Sequence, residues 1–123
     1  MFDHIGLNVS DYAASRAFYE RALAPLGYHV VMASDERKGA GFGQARKPEF
    51  WVSEREPVGT GTHVAFSCAD RATVDAVYAA AIAAGGRDNG PPGLREHYHP
   101  SYYAAFVIDP DGNNIEAVCH RAE

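Results

Sequence analysis

The chain repeats itself at a fixed distance of 59 residues. A shift by that distance aligns the segment DHIGLNVSD (Asp3–Asp11) with THVAFSCAD (Thr62–Asp70) without a gap. The same shift aligns four identical residues of the two halves: His4 with His63, Asp11 with Asp70, Tyr19 with Tyr78, and Gly27 with Gly86. Such matches at one offset indicate two copies of one supersecondary unit, because isolated identities in an alanine-rich chain would not keep a common register.

Both halves have the same predicted order of elements. Ile5, Leu7 and Val9 alternate with polar or small residues, which is typical of a half-buried strand. Asp11 and Asp70 follow at the positions of helix N-caps, and apolar residues at helical spacing come after them. Three short strand-like runs complete each half: about 28–33, 41–46 and 49–53, then 94–98, 102–108 and 114–120. The sequence therefore predicts an α+β fold of two βαβββ modules, with a mixed curved sheet and outer helices.

Length and composition bound the organisation of the chain. With 123 residues, of which 46% are apolar, it has the size of one domain with its own core. We expect a single domain over 1–123, with module one at 1–59 and module two at 60–123. The net charge of −5 argues against nucleic acid or an anionic membrane surface as a partner.

The cysteines and the N-terminus predict a reduced, cytoplasmic protein. Cys68 and Cys119 are too few for a disulfide framework, and each lies in an apolar run where a free thiol behaves as a small hydrophobe. The first residues carry no basic segment followed by an apolar stretch, and no apolar run is long enough to cross a bilayer.

Polar residues on the predicted strands point to one face of the sheet. A right-handed crossover and an antiparallel meander make the first and fourth strands of a module parallel. If these strands are neighbours, His63 lies level with Glu116, on the side opposite the apolar residues, and the duplication supplies His4. Two histidines and one carboxylate leave coordination positions open and suit a divalent Zn, Fe, Mn or Ni. The alternative is structural: hydrogen-bonded strand histidines and a solvated glutamate.

A second group of candidates could contact a small-molecule substrate. The segment from His97 to Tyr103 holds His97, His99, Tyr102 and Tyr103, and alternation along a strand would point both histidines the same way. The alternative is an aromatic hairpin at a surface.

The chain resembles the vicinal oxygen chelate superfamily, which includes glyoxalase I, bleomycin-resistance proteins and extradiol dioxygenases. The resemblance covers nearly the whole chain and rests on an opening and a closing motif: His4-Ile5-x-Leu7-x-Val9 with Ser15-x-x-Phe18-Tyr19 and Leu26-Gly27-Tyr28, and Asp109-Pro110-Asp111-Gly112-Asn113-x-x-Glu116. It implies a divalent metal at a concave face, bound by His4, His63 and Glu116, and a cavity closed by pairing modules within a chain or across a homodimer.

Two departures from the family pattern concern the reaction. The repeat places Trp51 opposite Glu116, where glyoxalase I carries a further carboxylate ligand. Ala105 and Phe106 stand where the dioxygenase motif has an aliphatic residue and a tyrosine, although a three-ligand set would suit Fe(II).

Two functions of different classes follow. The first is a metal-dependent enzyme, a lyase or a dioxygenase, in which the metal chelates adjacent substrate oxygens and Glu116 moves a proton. The second is a metal-free binder of the bleomycin-resistance type, with an aromatic cavity of Trp51, Phe42, Tyr102 and Tyr103.

Overall fold

The computed structural model describes residues 1–122, and it confirms the predicted α+β fold of two βαβββ modules. The helices are α1 (Tyr12–Ala22) and α2 (Arg71–Ala83), and a short 3-10 helix covers Ala24–Leu26. The strands are β1 (Ile5–Val9), β2 (His29–Ser34), β3 (Gly39–Gly43), β4 (Phe50–Glu54), β5 (His63–Ser67), β6 (Arg87–Asp88), β7 (Gly93–Leu94), β8 (Tyr103–Ile108) and β9 (Asn114–Cys119).

Each module contributes one mixed sheet. The first sheet has the order β1-β4-β3-β2, and the second has β5-β9-β8-β6, with β7 also paired to β8. β1 is parallel to β4, and β5 is parallel to β9, while the other pairs are antiparallel. The first and fourth strands of each module are therefore parallel, as the crossover rule predicted, and they are also neighbours. β1 and β5 lie at the edges of their sheets.

The two helices begin at equivalent aspartates. Asp11 accepts a hydrogen bond from the backbone N–H of Ala14, and Asp70 accepts one from Thr73 at 2.8 Å. These side chains satisfy N–H groups that have no partner within the helix, which is why both helices begin there.

One apolar core joins the modules. The rings of Phe50 on β4 and Phe66 on β5 have centroids 5.3 Å apart, and Tyr19 of α1 packs edge-on against Phe50 at 4.9 Å. Cys68 and Cys119 are free and buried in this core, as expected from the apolar runs around them.

The prediction of a strand at 94–98 was wrong. Only Gly93 and Leu94 pair with β8, and after Arg95 the chain turns, with Tyr98 N–H donating to the carbonyl of Arg95 at 2.9 Å. Because residues 95–101 form turns, strand alternation does not apply to His97 and His99.

Neither α1 nor α2, nor any other helix within residues 1–122, has the length and apolar character needed to cross a membrane.

Candidate functional site

A buried carboxylate lies beside a half-exposed imidazole on the face of the second sheet that points away from α2, which is called its outer face below. His63 Nε2 is 2.8 Å from Glu116 Oε1. The His63 side chain is 53% exposed, whereas that of Glu116 is only 1% exposed. The strand register pairs Ala65 with Glu116, so the imidazole reaches diagonally across from the start of β5. A carboxylate removed from water in this way requires hydrogen bonds or a cation.

The other oxygen of the same carboxylate is held by a tyrosine. Tyr102 Oη donates a short hydrogen bond to Glu116 Oε2. The Tyr102 ring packs edge-on against Tyr98 and His120, with centroids 5.0 Å from each. Partial burial and the hydrogen bond to Glu116 raise the pKa of Tyr102 to about 12. Tyr102 is therefore a proton donor to Glu116 across the neutral pH range.

His4 stands apart from this pair and has its own partner. Its Nδ1 is 2.7 Å from Asp3 Oδ1, and Lys47 Nζ lies 3.0 Å from the same oxygen. The hydrogen bond to His4 is the largest of several effects that lower the pKa of Asp3. With Nδ1 beside a carboxylate, Nε2 is the ring nitrogen left for another partner, which is the arrangement common in metal-ligating histidines.

Within one chain the three predicted ligands do not converge. Among residues 1–122 no three His, Cys, Asp or Glu side chains form a group that could hold a metal ion. The structure brings together His63 and Glu116 and leaves His4 at the start of β1.

Trp51 occupies the place in module one that Glu116 occupies in module two. The register pairs Trp51 with Gly6 on β1, just as it pairs Glu116 with Ala65 on β5. The indole lies over Gly41, where an added Cβ would come within 2.8 Å of Trp51 Cε2. Module one thus presents an aromatic surface where module two presents a carboxylate.

The other residues predicted to contact a substrate do not gather around Glu116. Tyr103 Oη donates to Asp75 of α2 at 2.7 Å, so this side chain faces the helix and not the ring of Tyr102. Phe42 is fully buried in the core, which removes it from any aromatic cavity. His97 and His99 are exposed, and His99 Nδ1 accepts the N–H of Ser101 at 3.0 Å.

Two partners of the site were missed at the level of sequence. Asp3 adjoins His4 in the chain, so an acidic neighbour could have been proposed as its orienting group. The bond from Tyr102 to Glu116 spans 14 residues across a turn, and no local pattern indicates it.

The residues present fit a divalent metal as a divided site. His63 Nε2 and Glu116 Oε1 lie 2.8 Å apart, close to the roughly 3 Å between adjacent ligands of an octahedral ion with bonds of about 2.1 Å. Imidazole and carboxylate donors suit Zn, Fe, Mn or Ni. Among residues 1–122 no third His, Cys, Asp or Glu side chain joins these two to complete a ligand set.

Solved structures of other proteins share this fold. A structure from Albidiferax ferrireducens T118, described as a glyoxalase/bleomycin resistance protein, is 29% identical, with a TM-score of 0.81 over 97% of this chain and 98% of that one. A glyoxalase/bleomycin resistance protein/dioxygenase family enzyme from Burkholderia phytofirmans PsJN shares the fold at 20% identity, with a TM-score of 0.72 over 97% and 98% of the two chains. No curated protein matches the chain.

One solved structure contains this fold within a longer chain. The E144Q mutant of glyoxalase I from Zea mays superposes with a TM-score of 0.70 at 24% identity, over 95% of this chain but only 46% of the maize chain. The sequence model of one protein family matches residues 1–117 of this chain. The chain therefore belongs to the Glyoxalase/Bleomycin resistance protein/Dioxygenase superfamily.

Proposed function

We propose that the protein is a metal-dependent enzyme acting on a small substrate with two adjacent oxygen atoms, through lyase or dioxygenase chemistry. The active site would take His63 and Glu116 from one copy of the chain and His4 from a second copy. The observation that carries the proposal is the 1% exposed Glu116 carboxylate, hydrogen-bonded to a His63 side chain that is itself 53% exposed.

The burial of Glu116 supports a chemical role. A buried carboxylate is costly unless donors or a cation compensate it, and ordinary stability does not require one on a sheet face. His63 and Tyr102 each contact one oxygen, so the group is held in one orientation. An oriented carboxylate with little water around it is well suited to accept a proton from a substrate carbon and return it.

Tyr102 is proposed to position Glu116. Its hydroxyl holds Oε2 and leaves Oε1 toward His63, so Glu116 Oε1 and His63 Nε2 are the two adjacent donor atoms that a metal would take. A bound divalent metal would act as a Lewis acid toward the substrate oxygens.

The proposal of a homodimer follows from the separation of His4 and from the free sheet edges. β1 and β5 each have one side without a strand partner, and exposed edges of this kind are usually paired or covered. Phe2, beside β1, is 88% exposed. Pairing of β1 from one copy with β5 from another would bring His4 toward His63 and would cover that apolar side chain.

The second candidate function is a metal-free binder of small molecules. Trp51 favours it, because an indole stands where a further carboxylate ligand would be needed for a four-ligand site. The hydrogen bonds from His63 and Tyr102 also compensate Glu116 without a metal.

A complementation experiment tests the proposed site. His4→Ala and His63→Ala are purified separately, treated with EDTA, loaded with Zn²⁺ or Mn²⁺, desalted and analysed for bound metal. They are then unfolded and refolded together in equal amounts. In a site shared between copies, each mixed dimer regains one intact site of two, so the mixture should recover roughly one quarter of the wild-type metal content.

The outcomes separate the alternatives. Metal in wild type, none in either variant and recovery on mixing would support the shared site. No recovery on mixing would contradict it, because a site within one chain cannot be restored by a partner. An empty wild-type protein after loading would favour the metal-free binder. Tyr98→Phe, unfolded and refolded in the same way, is the control for folding.

A further inference from the structure

We propose that the outer face of the first sheet selects a small aromatic carboxylate, whose ring lies on Trp51 and whose anionic group is bound by Arg37 and Arg55. This inference rests on the proposed function, since it names the substrate class of the same site.

One row of residues across the first sheet forms an apolar platform. The strand register sets Gly6, Trp51, Gly41 and Met32 side by side on β1, β4, β3 and β2. At Gly41 an added Cβ would lie 2.8 and 2.9 Å from Trp51 Cε2 and Cζ2, so the absence of a side chain there lets the indole lie close to the strand. Met32 is 56% exposed at the far end of the row. A flat indole flanked by glycines and an exposed thioether suits a planar ring.

The next row is polar. Asn8, Ser53, Gly39 and Ser34 pair in the same order across the four strands. Asn8 uses its amide to donate to the Pro57 carbonyl at 2.9 Å, which fixes that side chain. The Ser34 hydroxyl accepts the N–H of Arg37 at 3.1 Å, so this row ties down the turn that carries Arg37.

Two arginines stand beyond the polar row. Arg55 follows β4, and Arg37 belongs to the turn between β2 and β3. Both line a hollow of about 240 Å³ together with Trp51 and Ser53. Within residues 1–122 neither guanidinium has an ion pair or a side-chain hydrogen bond.

The lysine next to Arg37, by contrast, is already paired. Lys38 Nζ lies 3.2 Å from Glu54 Oε2. Arg37 and Arg55 line the same hollow and have no ion pair within residues 1–122, so both guanidinium groups are available to an anionic ligand. Guanidinium groups bind carboxylates through paired N–H donors, which makes an anionic ligand the complementary one.

The platform adjoins the proposed metal ligand. His4 lines a second hollow of about 280 Å³, which also contains Trp51, Ser53 and Arg55. Two residues along a strand advance about 7 Å, so Trp51 and Arg55 are separated by about 13 Å before the arginine side chain folds back. A single ring with an arm of two or three carbons can contact Trp51 and reach the guanidinium groups.

A binding experiment without metal tests this inference. Trp51 is the only tryptophan of the chain, so its fluorescence reports on the platform directly. Wild type in EDTA is titrated with 3-phenylpropionate and with its neutral analogue 3-phenylpropanamide. The Arg37→Gln/Arg55→Gln double variant and the control Arg87→Gln, which removes an exposed arginine of β6, are titrated in parallel.

We expect wild type and Arg87→Gln to bind the carboxylate at least roughly tenfold more tightly than the amide. The double variant should bind both probes with similar, weak affinity. Equal binding of the two probes by wild type, or a carboxylate preference that survives in the double variant, would overturn the inference.

The result is independent of the proposed metal site. Because EDTA is present throughout, the titration can be interpreted even if metal complementation fails. The complementation can likewise be interpreted if the titration shows no carboxylate preference. The titration is repeated on His63→Ala. A carboxylate preference that disappears there but persists in the double variant would assign the anion to the His63 side and would contradict the role of Arg37 and Arg55.

Discussion

Trp51 and Glu116 occupy equivalent places in the two modules. Trp51 pairs with Gly6 between β1 and β4, and Glu116 pairs with Ala65 between β5 and β9. Gly6 and Ala65 are themselves related by the 59-residue shift. The duplicated fold thus places a carboxylate on the outer face of the second sheet and an indole on the outer face of the first. In the proposed function the carboxylate is a metal ligand, and in the further inference the indole is the platform for a ring.

Replacing Trp51 by Glu should restore the carboxylate that the first module lacks. Because this position lies beside His4 on the same face, we expect Trp51→Glu to bind Zn²⁺ or Mn²⁺ roughly tenfold more tightly than wild type, equivalent to about 1.4 kcal/mol. Competition with a chromophoric chelator measures the change. Trp51→Gln, which has the same shape without the charge, is the control, and an equal gain in both variants would show that the carboxylate is not a ligand.

His63 and Phe66 lie on opposite faces of β5, and comparing their alanine variants tests whether His63 is a metal ligand or a structural residue. His63→Ala should abolish most metal binding and cost little stability, since the side chain is half exposed. Phe66 is 7% exposed in the core, so Phe66→Ala should lower the free energy of unfolding by about 3–5 kcal/mol. Urea unfolding and metal analysis on both variants provide the comparison. If His63→Ala is as destabilised as Phe66→Ala, the histidine is structural.

The hydroxyl of Tyr19 links α1 to the turn before β9. It donates to Asp109 Oδ2 at 2.5 Å, and both side chains are buried. Tyr19→Phe removes a hydrogen bond to a charged group and should cost about 1.5–3 kcal/mol in urea unfolding. The exposed Tyr98→Phe is the control and should change stability by less than about 0.5 kcal/mol. Equal effects of the two variants would contradict the structural role of Tyr19.

Alkaline pH should destabilise the protein. Burial and Glu49 raise the pKa of Tyr28 to about 12, burial and Glu116 raise that of Tyr102 to about 12, and burial and Asp109 raise the pKa of Tyr19 well above its usual value. An unfolded chain releases phenolic protons near pH 10, which the folded chain still holds. The stabilisation associated with these groups is therefore complete below about pH 10 and is lost as the pH rises toward 12.

Urea unfolding at a series of pH values between 9 and about 12 measures this dependence, and tyrosinate absorbance follows the titration itself. The Tyr28→Phe/Tyr102→Phe double variant should lose stability less steeply, because two of the shifted groups are absent. A stability that does not fall above pH 10, or an unchanged slope in the double variant, would contradict the assignment.

The amino-acid sequence determined the architecture of this protein by itself. The duplication predicted two like modules, period-2 alternation predicted which strand residues face the core, and Asp11 and Asp70 marked the starts of α1 and α2. These features are local or repeated, so they can be read without knowing which elements meet. The equivalence of Trp51 and Glu116 followed from the repeat, once the shorter loops of module one were allowed for, and the strand pairing confirms it.

Only the tertiary structure decided the surroundings of the candidate site. Tyr102 and Tyr103 point in opposite directions, as neighbours along an extended run do, but only the tertiary packing brings Tyr102 to Glu116 and Tyr103 to Asp75. Alternation assigns a side chain to a face of a sheet but does not say which sheets or edges meet. The separation of His4 from His63 and Glu116 therefore depends on how the two modules pack through Phe50 and Phe66, a long-range arrangement that no local spacing encodes.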